Sequence, residues 1–327
     1  MSVYNVAPYV RAALDCIVGQ TLHDLEILCI DDASTDGTWE ILNEYAAHDG
    51  RIRLFRQPKN QGLSVSRNKA MELAQGEYLI MVDGDDLFAP DMAQKALDAA
   101  TKTGADMVMW DYCTFDNESE LPARSRQPSD LSGVDCTDKV ALLRRPGFTP
   151  VRMTRLACLR KLHIQFPSGL TKQDIPVHWQ LVTQLDKIAL LPERLLFYRQ
   201  QPGSTTNRRG RSLMDLATVM DITGQWLHDN GLYETYRDEF LRRRLSTLQG
   251  MYDGIKPELK EEALTMVRER LDDDALSYLA SKRCQLGSRT RNFYGMLAGN
   301  PWATVKYRSV LAVRAIYRKF SLQRCTK

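Results

Sequence analysis

The 327-residue chain lacks the patterns of disulfide-rich, membrane-spanning and zinc-binding proteins. Its seven cysteines are scattered with no C-x-x-C pair, which indicates a reducing compartment rather than a disulfide framework. No apolar run is as long as a transmembrane helix, and the N-terminus has no charged segment followed by an apolar one. Histidine and cysteine do not cluster as zinc ligands would. We therefore expect a cytoplasmic globular protein.

Acidic residues are missing from the last part of the chain. Beyond Asp274 there is no aspartate or glutamate, whereas lysine and arginine are frequent. A basic helix with an apolar side can lie on an anionic membrane surface, so peripheral contact with the inner membrane is one interpretation of this tail. A packed helix with a solvated basic face is the other, and no nucleic-acid recognition motif accompanies the charge. The apolar residues of the tail are Trp302, Val305, Val313, Ile316, Tyr317 and Phe320.

The first part of the chain alternates short apolar segments with helical ones. LEILCIDD, IRLF, YLIMVD and ADMVMWDY are continuous apolar runs, which are typical of strands covered on both faces in a mostly parallel sheet. We predict an open α/β domain over residues 1–210, with ligands beyond the carboxyl ends of the strands. Beyond Arg211 only amphipathic helical patterns follow, which predicts a helical C-terminal extension over residues 211–327.

Two acidic clusters close predicted strands. Asp31 and Asp32 end one strand, and Asp83, Asp85 and Asp86 follow another. Carboxyl ends of parallel strands meet at one edge of a sheet, so the two clusters should lie close together. A divalent cation could bind between them, and hard oxygen ligands favour Mg²⁺ or Mn²⁺. A loop whose carboxylates are solvated by water is the alternative.

Arg67 lies early in the predicted helix LSVSRNKAMELAQG, which leads into the second acidic cluster. A fixed positive charge near a helix start suits a phosphate oxygen, because the helix dipole and free amides also attract an anion. The alternative is an exposed arginine in a surface ion pair.

The order of these features resembles glycosyltransferase family 2, the inverting nucleotide-sugar transferases of the GT-A fold. The resemblance covers residues 3–206 and implies a GT-A catalytic domain there. It is carried by VYNVAPYV at 3–10, ILCIDDASTDGT at 27–38, NQGLSVSRNKAMELAQGEYLIMVDGDD at 60–86, FPSGLTKQDIPVHWQLV at 166–182 and LLFYRQQPGSTT at 195–206.

The resemblance implies a nucleoside-diphosphate sugar as donor. Asp32 matches the acid that reads the nucleobase, and Tyr4 and Asn5 match the loop near that base. Uracil offers an imide N–H that a carboxylate can accept, which favours a UDP-sugar, although guanine also offers a ring N–H.

The resemblance also implies residues for the diphosphate and its cation. Asp85 matches the ligand of the cation that bridges the phosphates, and Asp83 matches its companion on the ribose or on metal-bound water. Arg67, Arg199 and Ser204 are the candidates for holding the phosphates.

The resemblance implies a catalytic base as well, since an inverting transfer needs one to deprotonate the acceptor hydroxyl. The family places it in a Glu-Asp pair before a helix, and this chain has Gln173-Asp174 there, so Asp174 is the candidate base. Capping that helix is its alternative role. Only Met1-Ser2-Val3 precede Tyr4, so we expect a truncated first strand or a misassigned start.

These features predict an inverting, Mn²⁺- or Mg²⁺-dependent glycosyltransferase acting on a hydroxyl of a glycan or lipid-linked saccharide. By resemblance, its setting is bacterial surface polysaccharide synthesis. A Mg²⁺-dependent phosphotransferase would need an Asp-x-Asp-x-Thr/Val stretch after the first strand, which the sequence lacks. A degenerate sugar-nucleotide-binding scaffold without turnover is the remaining alternative, favoured if Gln173 and the short first strand are real losses.

Overall fold

The computed structural model describes residues 1–125, 127–200, 209–281 and 283–309. The chain divides into two compact units, Met1–Arg208 and Arg209–Lys327. This division lies two residues from the boundary at residue 210 that the sequence predicts.

The described part of the first unit alternates strands and helices, as the hydrophobic pattern predicts. The strands are β1 (Ser2–Val3), β2 (Ile27–Asp31), β3 (Ile52–Arg56), β4 (Tyr78–Ile80), β5 (Leu87–Phe88), β6 (Met107–Phe115), β7 (Arg152–Arg155) and β8 (Ile188–Arg199). The helices are α1 (Ala7–Val18), α2 (Thr38–His48), α3 (Leu63–Leu73), α4 (Met92–Thr103), α5 (Leu121–Arg124), α6 (Lys139–Leu143), α7 (Leu156–Lys161) and α8 (Asp174–Gln184).

A three-stranded sheet, in the order β1-β2-β3, forms the N-terminal part of this unit, and both pairings are parallel. Every residue of β2 is buried, which explains its continuous apolar run. Helix α1 buries Val10, Ala13, Leu14 and Ile17, the apolar face that its periodicity predicts. β1 has two residues, and Ser2 pairs with Ile30 on one side and forms a parallel bridge to Asp83 on the other. This short strand therefore joins the three-stranded sheet to the turn at residues 83–86, which carries the second acidic cluster.

A second sheet has the order β4-β7-β6-β8-β5. Only β6 and β8 pair in parallel within it, whereas β7 runs antiparallel to both of its neighbours and β5 runs antiparallel to β8. The expected α/β fold with a parallel sheet is confirmed, but this second sheet is mixed.

The described part of the second unit is helical, which confirms the predicted extension. Its helices are α9 (Asp215–Asp229), α10 (Tyr233–Gly254), α11 (Lys260–Glu269), α12 (Asp273–Ala280) and α13 (Ser288–Leu297), and residues 301–309 are also helical. The amphipathic pattern is satisfied by burial of one face of each helix, for example Leu241, Leu245 and Leu248 of α10. Within the described residues, none of the helices is both long and apolar enough to span a bilayer.

Candidate donor and catalytic site

The acidic turn, residues 83–86, connects β4 to β5 beside the carboxyl end of β1. The backbone N–H of Ser2 donates to the carbonyl of Val82 at 3.2 Å, next to the bridge between Ser2 and Asp83. A Cβ atom on Gly84 would lie 2.6 Å from Cγ1 of Val3, so only glycine fits this close approach without a shift. The two acidic clusters therefore share one sheet edge.

Asp32 is 3% exposed and binds the loop that follows β3. Its Oδ1 accepts the side-chain amide of Gln57 and the backbone N–H of Gln61, both at 2.8 Å. Its Oδ2 accepts the backbone N–H of Gly62 at 2.7 Å. A carboxylate has about four acceptor positions, so capacity for a further N–H donor remains. The nucleobase role of Asp32 stays a prediction.

The loop containing Tyr4 and Asn5 is fixed against the loop that follows β2. The backbone N–H of Asn5 donates to Oγ of Ser34 at 3.0 Å, and Oδ1 of Asn5 accepts the backbone N–H of Thr35 at 2.8 Å. Asn5 adopts φ 50°, a left-handed conformation that asparagine tolerates. Oδ1 of Asp31 accepts the backbone N–H of Ser34 at 3.1 Å, and the Tyr4 side chain stays exposed at this edge.

Arg67 connects the acidic turn to the candidate base. Its side chain is 3% exposed, and its guanidinium donates to Oδ1 of Asp174 at 2.6 Å and to both oxygens of Asp83 at 3.0 and 3.1 Å. Burial alone would lower the pKa of Arg67, but the two carboxylates outweigh burial and raise that pKa. The alternative of an exposed surface arginine is therefore wrong.

Asp174 is the first residue of α8, where a negative charge is favourable to the helix dipole. Its Oδ1 accepts a hydrogen bond from the Thr149 hydroxyl as well as from Arg67. The N-cap residue is Gln173, and no side-chain capping bond is formed. The proposed capping role of Asp174 is therefore wrong, and its carboxylate faces Arg67 instead.

Arg199 ends β8 and contacts the acidic turn through its backbone and its side chain. Its backbone N–H donates to Oδ1 of Asp86 at 2.9 Å, its Nε to the carbonyl of Asp85 at 2.9 Å, and a terminal nitrogen to Glu118 at 3.0 Å. The structure thus brings Arg199 to the cluster that the sequence predicts for the phosphates. Ser204 lies outside the described residues.

Asp86 had no assigned role in the sequence, yet it is 0% exposed. Burial, then the charges of Asp83 and Asp85, raise its pKa well above the ordinary value, against the opposing effect of Arg199. Its Oδ2 has no hydrogen-bond partner among the described residues. Such a group is costly to bury and needs a structural reason.

Arg152 was also missed by sequence reasoning, since no pattern distinguishes it from surface arginines. It is buried, and a terminal nitrogen donates to the carbonyls of Gly147 and Phe148, just before Thr149. Burial lowers its pKa to about 10, and the charge of Asp174 opposes this shift. Arg152 therefore supports the segment that presents Thr149 to Asp174.

The acidic turn suits a cation that is completed by its substrate. Among the described residues, no group of three or more His, Cys, Asp or Glu side chains forms a complete metal cage. Mg²⁺ commonly uses one or two carboxylates together with substrate phosphates and water, and Asp83 and Asp85 offer such oxygens within one turn. Both oxygens of Asp83 accept hydrogen bonds from Arg67, so a cation here would share Asp83 with that guanidinium, and the cation site stays a prediction.

The sequence of this chain matches the family described as Glycosyl transferase family 2 over residues 1–161. A relative in Bacillus subtilis (strain 168), the glycosyltransferase-family protein EpsH, is 37% identical over 249 residues, which are 73% of this chain and 71% of EpsH. The chain therefore belongs to glycosyltransferase family 2, as the resemblance implied.

Two further comparisons concern a second relative and the fold. The uncharacterized glycosyltransferase EpsJ of the same organism is 28% identical over 222 residues, which are 65% of this chain and 63% of EpsJ, so this chain spans less than two thirds of that relative. TarS of S. aureus in complex with UDP-GlcNAc superimposes with a TM-score of 0.72 at 20% identity, over 97% of this chain and 90% of that one. This likeness shows the GT-A fold.

A more distant structure has the same fold. The mannosyltransferase PcManGT of Pyrobaculum calidifontis, in complex with GDP-Man and Mn²⁺, has a TM-score of 0.52 at 19% identity, over 94% of this chain and 85% of that chain.

Proposed function

We propose that this chain is an inverting, divalent-cation-dependent glycosyltransferase that moves a sugar from a UDP-sugar to a hydroxyl of a glycan or lipid-linked saccharide, in bacterial surface polysaccharide synthesis. The observation that carries the proposal is the contact of one buried guanidinium, that of Arg67, with both Asp83 and Asp174. This contact joins Asp83, which is assigned to the nucleotide-sugar donor, with Asp174, which is assigned to the acceptor hydroxyl. The complexes of TarS with UDP-GlcNAc and of PcManGT with GDP-Man support a nucleotide-sugar donor.

On the donor side, Asp32 accepts the imide N–H of the uracil base, and Tyr4 and Asn5 border that base. Arg199 lies beside the acidic turn and supplies positive charge to the diphosphate, with Ser204 as a further assigned contact. Mn²⁺ or Mg²⁺, held by Asp85 with Asp83 as its companion, would supply Lewis-acid neutralisation of the charge on the departing diphosphate. The Mn²⁺ complex of PcManGT supports this assignment.

On the acceptor side, Asp174 acts as the general base. The acceptor oxygen bonds to the anomeric carbon from the side opposite the diphosphate, and its proton passes to the Asp174 carboxylate. The bond from the anomeric carbon to the phosphate oxygen breaks with its electron pair on the nucleoside diphosphate, so the configuration inverts. Arg67 and Thr149 fix Oδ1 of Asp174, which orients the carboxylate for this transfer.

The test measures sugar transfer and UDP binding in the presence of Mn²⁺, with a panel of UDP-sugars and saccharide acceptors. Asp174→Asn should abolish transfer while UDP binding persists, whereas Asp85→Ala should remove the Mn²⁺-dependent part of UDP binding. Asp98→Asn is the matched control, since this carboxylate lies exposed on α4 and bonds only to Gln94 among the described residues. Unchanged metal-dependent binding in Asp85→Ala would refute the donor-site assignment, and binding without transfer to any acceptor would favour the scaffold alternative.

We also infer that the C-terminal helix at 301–309 contacts an anionic lipid surface at the cytoplasmic face of the membrane. Its inner side packs through Tyr307, whereas Trp302 is 77% exposed and Val305 is 59% exposed, beside Lys306 and Arg308. Aromatic and basic side chains on one exposed face suit the membrane interface.

Sedimentation with vesicles tests this contact. The full chain should co-sediment with phosphatidylglycerol vesicles and not with phosphatidylcholine vesicles, and high salt should release it. Trp302→Ala should weaken the binding. Equal binding to both vesicle types, or to neither, would refute this inference.

A further inference from the structure

Asp86 is too deeply buried to touch a substrate, but it contacts the residues assigned to the diphosphate. It is 0% exposed, and its Oδ1 accepts the backbone N–H of Arg199 at 2.9 Å. Its own backbone N–H donates to the carbonyl of Asp83 at 3.4 Å, which closes the acidic turn. Carboxylates are rarely buried without a partner, so this side chain must have a stabilising role that offsets its desolvation.

The position of Asp86 explains that role. β5 pairs antiparallel with β8, and Leu87 lies opposite Phe197 at the end of this ladder. Continuing the register places Asp86 and Asp85 beside the last residues of β8, beyond the two pairs of the ladder. There the Asp86 carboxylate accepts the Arg199 backbone N–H, and the Arg199 Nε donates to the carbonyl of Asp85, so these two bonds connect the acidic turn to the end of β8.

The side chain of Arg199 is fixed from its other sides as well. Its guanidinium lies 4.7 Å from the ring centroid of Phe115 and 5.1 Å from that of Tyr9, and it bonds to Glu118 at 3.0 Å. Cation–π contacts and hydrogen bonds of this kind restrict the rotamer of a long side chain. On one side the backbone at Arg199 is held by β6, where Arg199 pairs with Phe115 and the next N–H, that of Gln200, donates to the Phe115 carbonyl at 2.8 Å. On the side of the acidic turn, the Arg199 N–H has Asp86 as its acceptor.

We propose that Asp86 is a positioning residue that fastens the end of β8 to the acidic turn, and so fixes Arg199 and the main chain of Asp85 relative to the donor diphosphate. The proposal rests on the donor roles given to Asp85 and Arg199 above. Asp86 acts through these two residues and does not itself ligate the cation or the phosphates.

The experiment compares Asp86→Asn, Asp86→Leu and Asp86→Ala with the wild-type chain. The asparagine keeps an oxygen that can accept the Arg199 N–H, the leucine keeps a branched side chain with no acceptor, and the alanine removes both the branch and the acceptor. Hydrogen–deuterium exchange of the Arg199 amide in the ligand-free protein reports the hydrogen bond directly. Calorimetric titration with UDP and Mn²⁺ reports the donor site.

Asp86→Asn should keep the Arg199 amide protected and bind UDP nearly as the wild type does. Asp86→Leu and Asp86→Ala should lose that protection and bind UDP about tenfold more weakly, the loss expected for one hydrogen bond. In turnover, donor KM should rise more than kcat falls. Because a cavity could unfold Asp86→Ala, Asp86→Leu, which keeps the branching and the number of heavy atoms, supplies a second variant without an acceptor.

Two results would overturn the proposal. The first is an Arg199 amide that stays protected in Asp86→Leu. The second is Asp86→Asn binding UDP as weakly as Asp86→Leu, because the negative charge, and therefore direct ligation, would then be what matters. If the wild type bound no nucleotide with Mn²⁺, the proposed function would fail, while the exchange measurement would still test the bond between Asp86 and Arg199.

Discussion

Replacing Arg67 tests the contact between the donor side and the base. Arg67→Met keeps an unbranched apolar stem and removes the guanidinium with its charge, which leaves Asp83 and Asp174 without their shared partner. Breaking a buried ion pair costs about 3–5 kcal/mol, and the carboxylates here keep 24% and 18% of their side-chain surface exposed, so water can partly replace the guanidinium. We therefore expect Arg67→Met to lower the free energy of unfolding by about 3 kcal/mol, the lower end of that range.

For a unit of this size, about 3 kcal/mol corresponds to a fall in Tm of roughly 6–12 °C. Differential scanning fluorimetry of the ligand-free chain measures this fall. Arg11→Met is the matched control, because Arg11 pairs with Glu44 at the surface, with 51% of each side chain exposed, and its loss should leave Tm nearly unchanged.

A double-mutant cycle separates the pair from the rest of the site. In the Arg67→Met background, Asp174→Asn should cost less stability than in the wild type, because its partner is already absent. If Arg67→Met melted like the wild type, or if the two replacements were additive, the guanidinium would not connect these residues energetically.

The remaining predictions concern the acidic turn and the packing of the N-terminal helices. Gly84→Ala should lower the free energy of unfolding by about 1–3 kcal/mol and weaken UDP binding in the presence of Mn²⁺, because the added Cβ would lie 2.6 Å from Cγ1 of Val3. Gly50→Ala is the control: no atom lies within 4 Å of its added Cβ, so stability and UDP binding should both stay unchanged. Burial first, and then the hydrogen bond to Asp15, raise the pKa of Tyr45 to about 12. The unfolded chain loses the Tyr45 proton near pH 10.0, whereas the folded chain keeps it to about pH 12. The raised pKa therefore contributes stability that is complete below pH 10.0 and is lost as the pH rises towards about 12. Tyr45→Phe should remove that part of the pH dependence in urea unfolding, and an unchanged profile would contradict the assignment.

The parts of the fold that depend on local pattern could be predicted from the sequence. The apolar run of β2 and the periodicity of α1 reflect burial of neighbouring residues, so they predict strand and helix without knowledge of the tertiary fold. β7 could not be found in this way, because RMTR has no apolar run and is buried by strands distant in sequence. Its antiparallel pairing with β4 and β6, together with that of β5 with β8, makes the second sheet mixed.

The candidate site was predictable as a set of residues but not as a set of contacts. The acidic clusters could be placed together because the carboxyl ends of parallel strands meet at one edge of a sheet. The other contacts join residues far apart in sequence: Arg67 and Asp174 are 107 residues apart, and Asp86 and Arg199 are 113 apart. Both residues of each pair are common surface types, and only the tertiary fold brings them into contact and buries Arg67 and Asp86. Burial of a charged side chain is a tertiary property, which is why Asp86 and Arg152 carried no signal in the sequence.

The shared guanidinium of Arg67 also has an evolutionary consequence. A mutation at position 67 leaves two carboxylates without their shared partner, and a mutation at position 83 or 174 removes one of the two carboxylates that offset the burial of the guanidinium. A single exchange therefore meets selection before a second one can compensate for it. Relatives that keep the site should therefore inherit the three positions as a set, and relatives that lose one should lose the others. The joint presence or absence of these three residues would therefore distinguish relatives that keep glycosyl transfer from relatives that have become binding proteins without turnover.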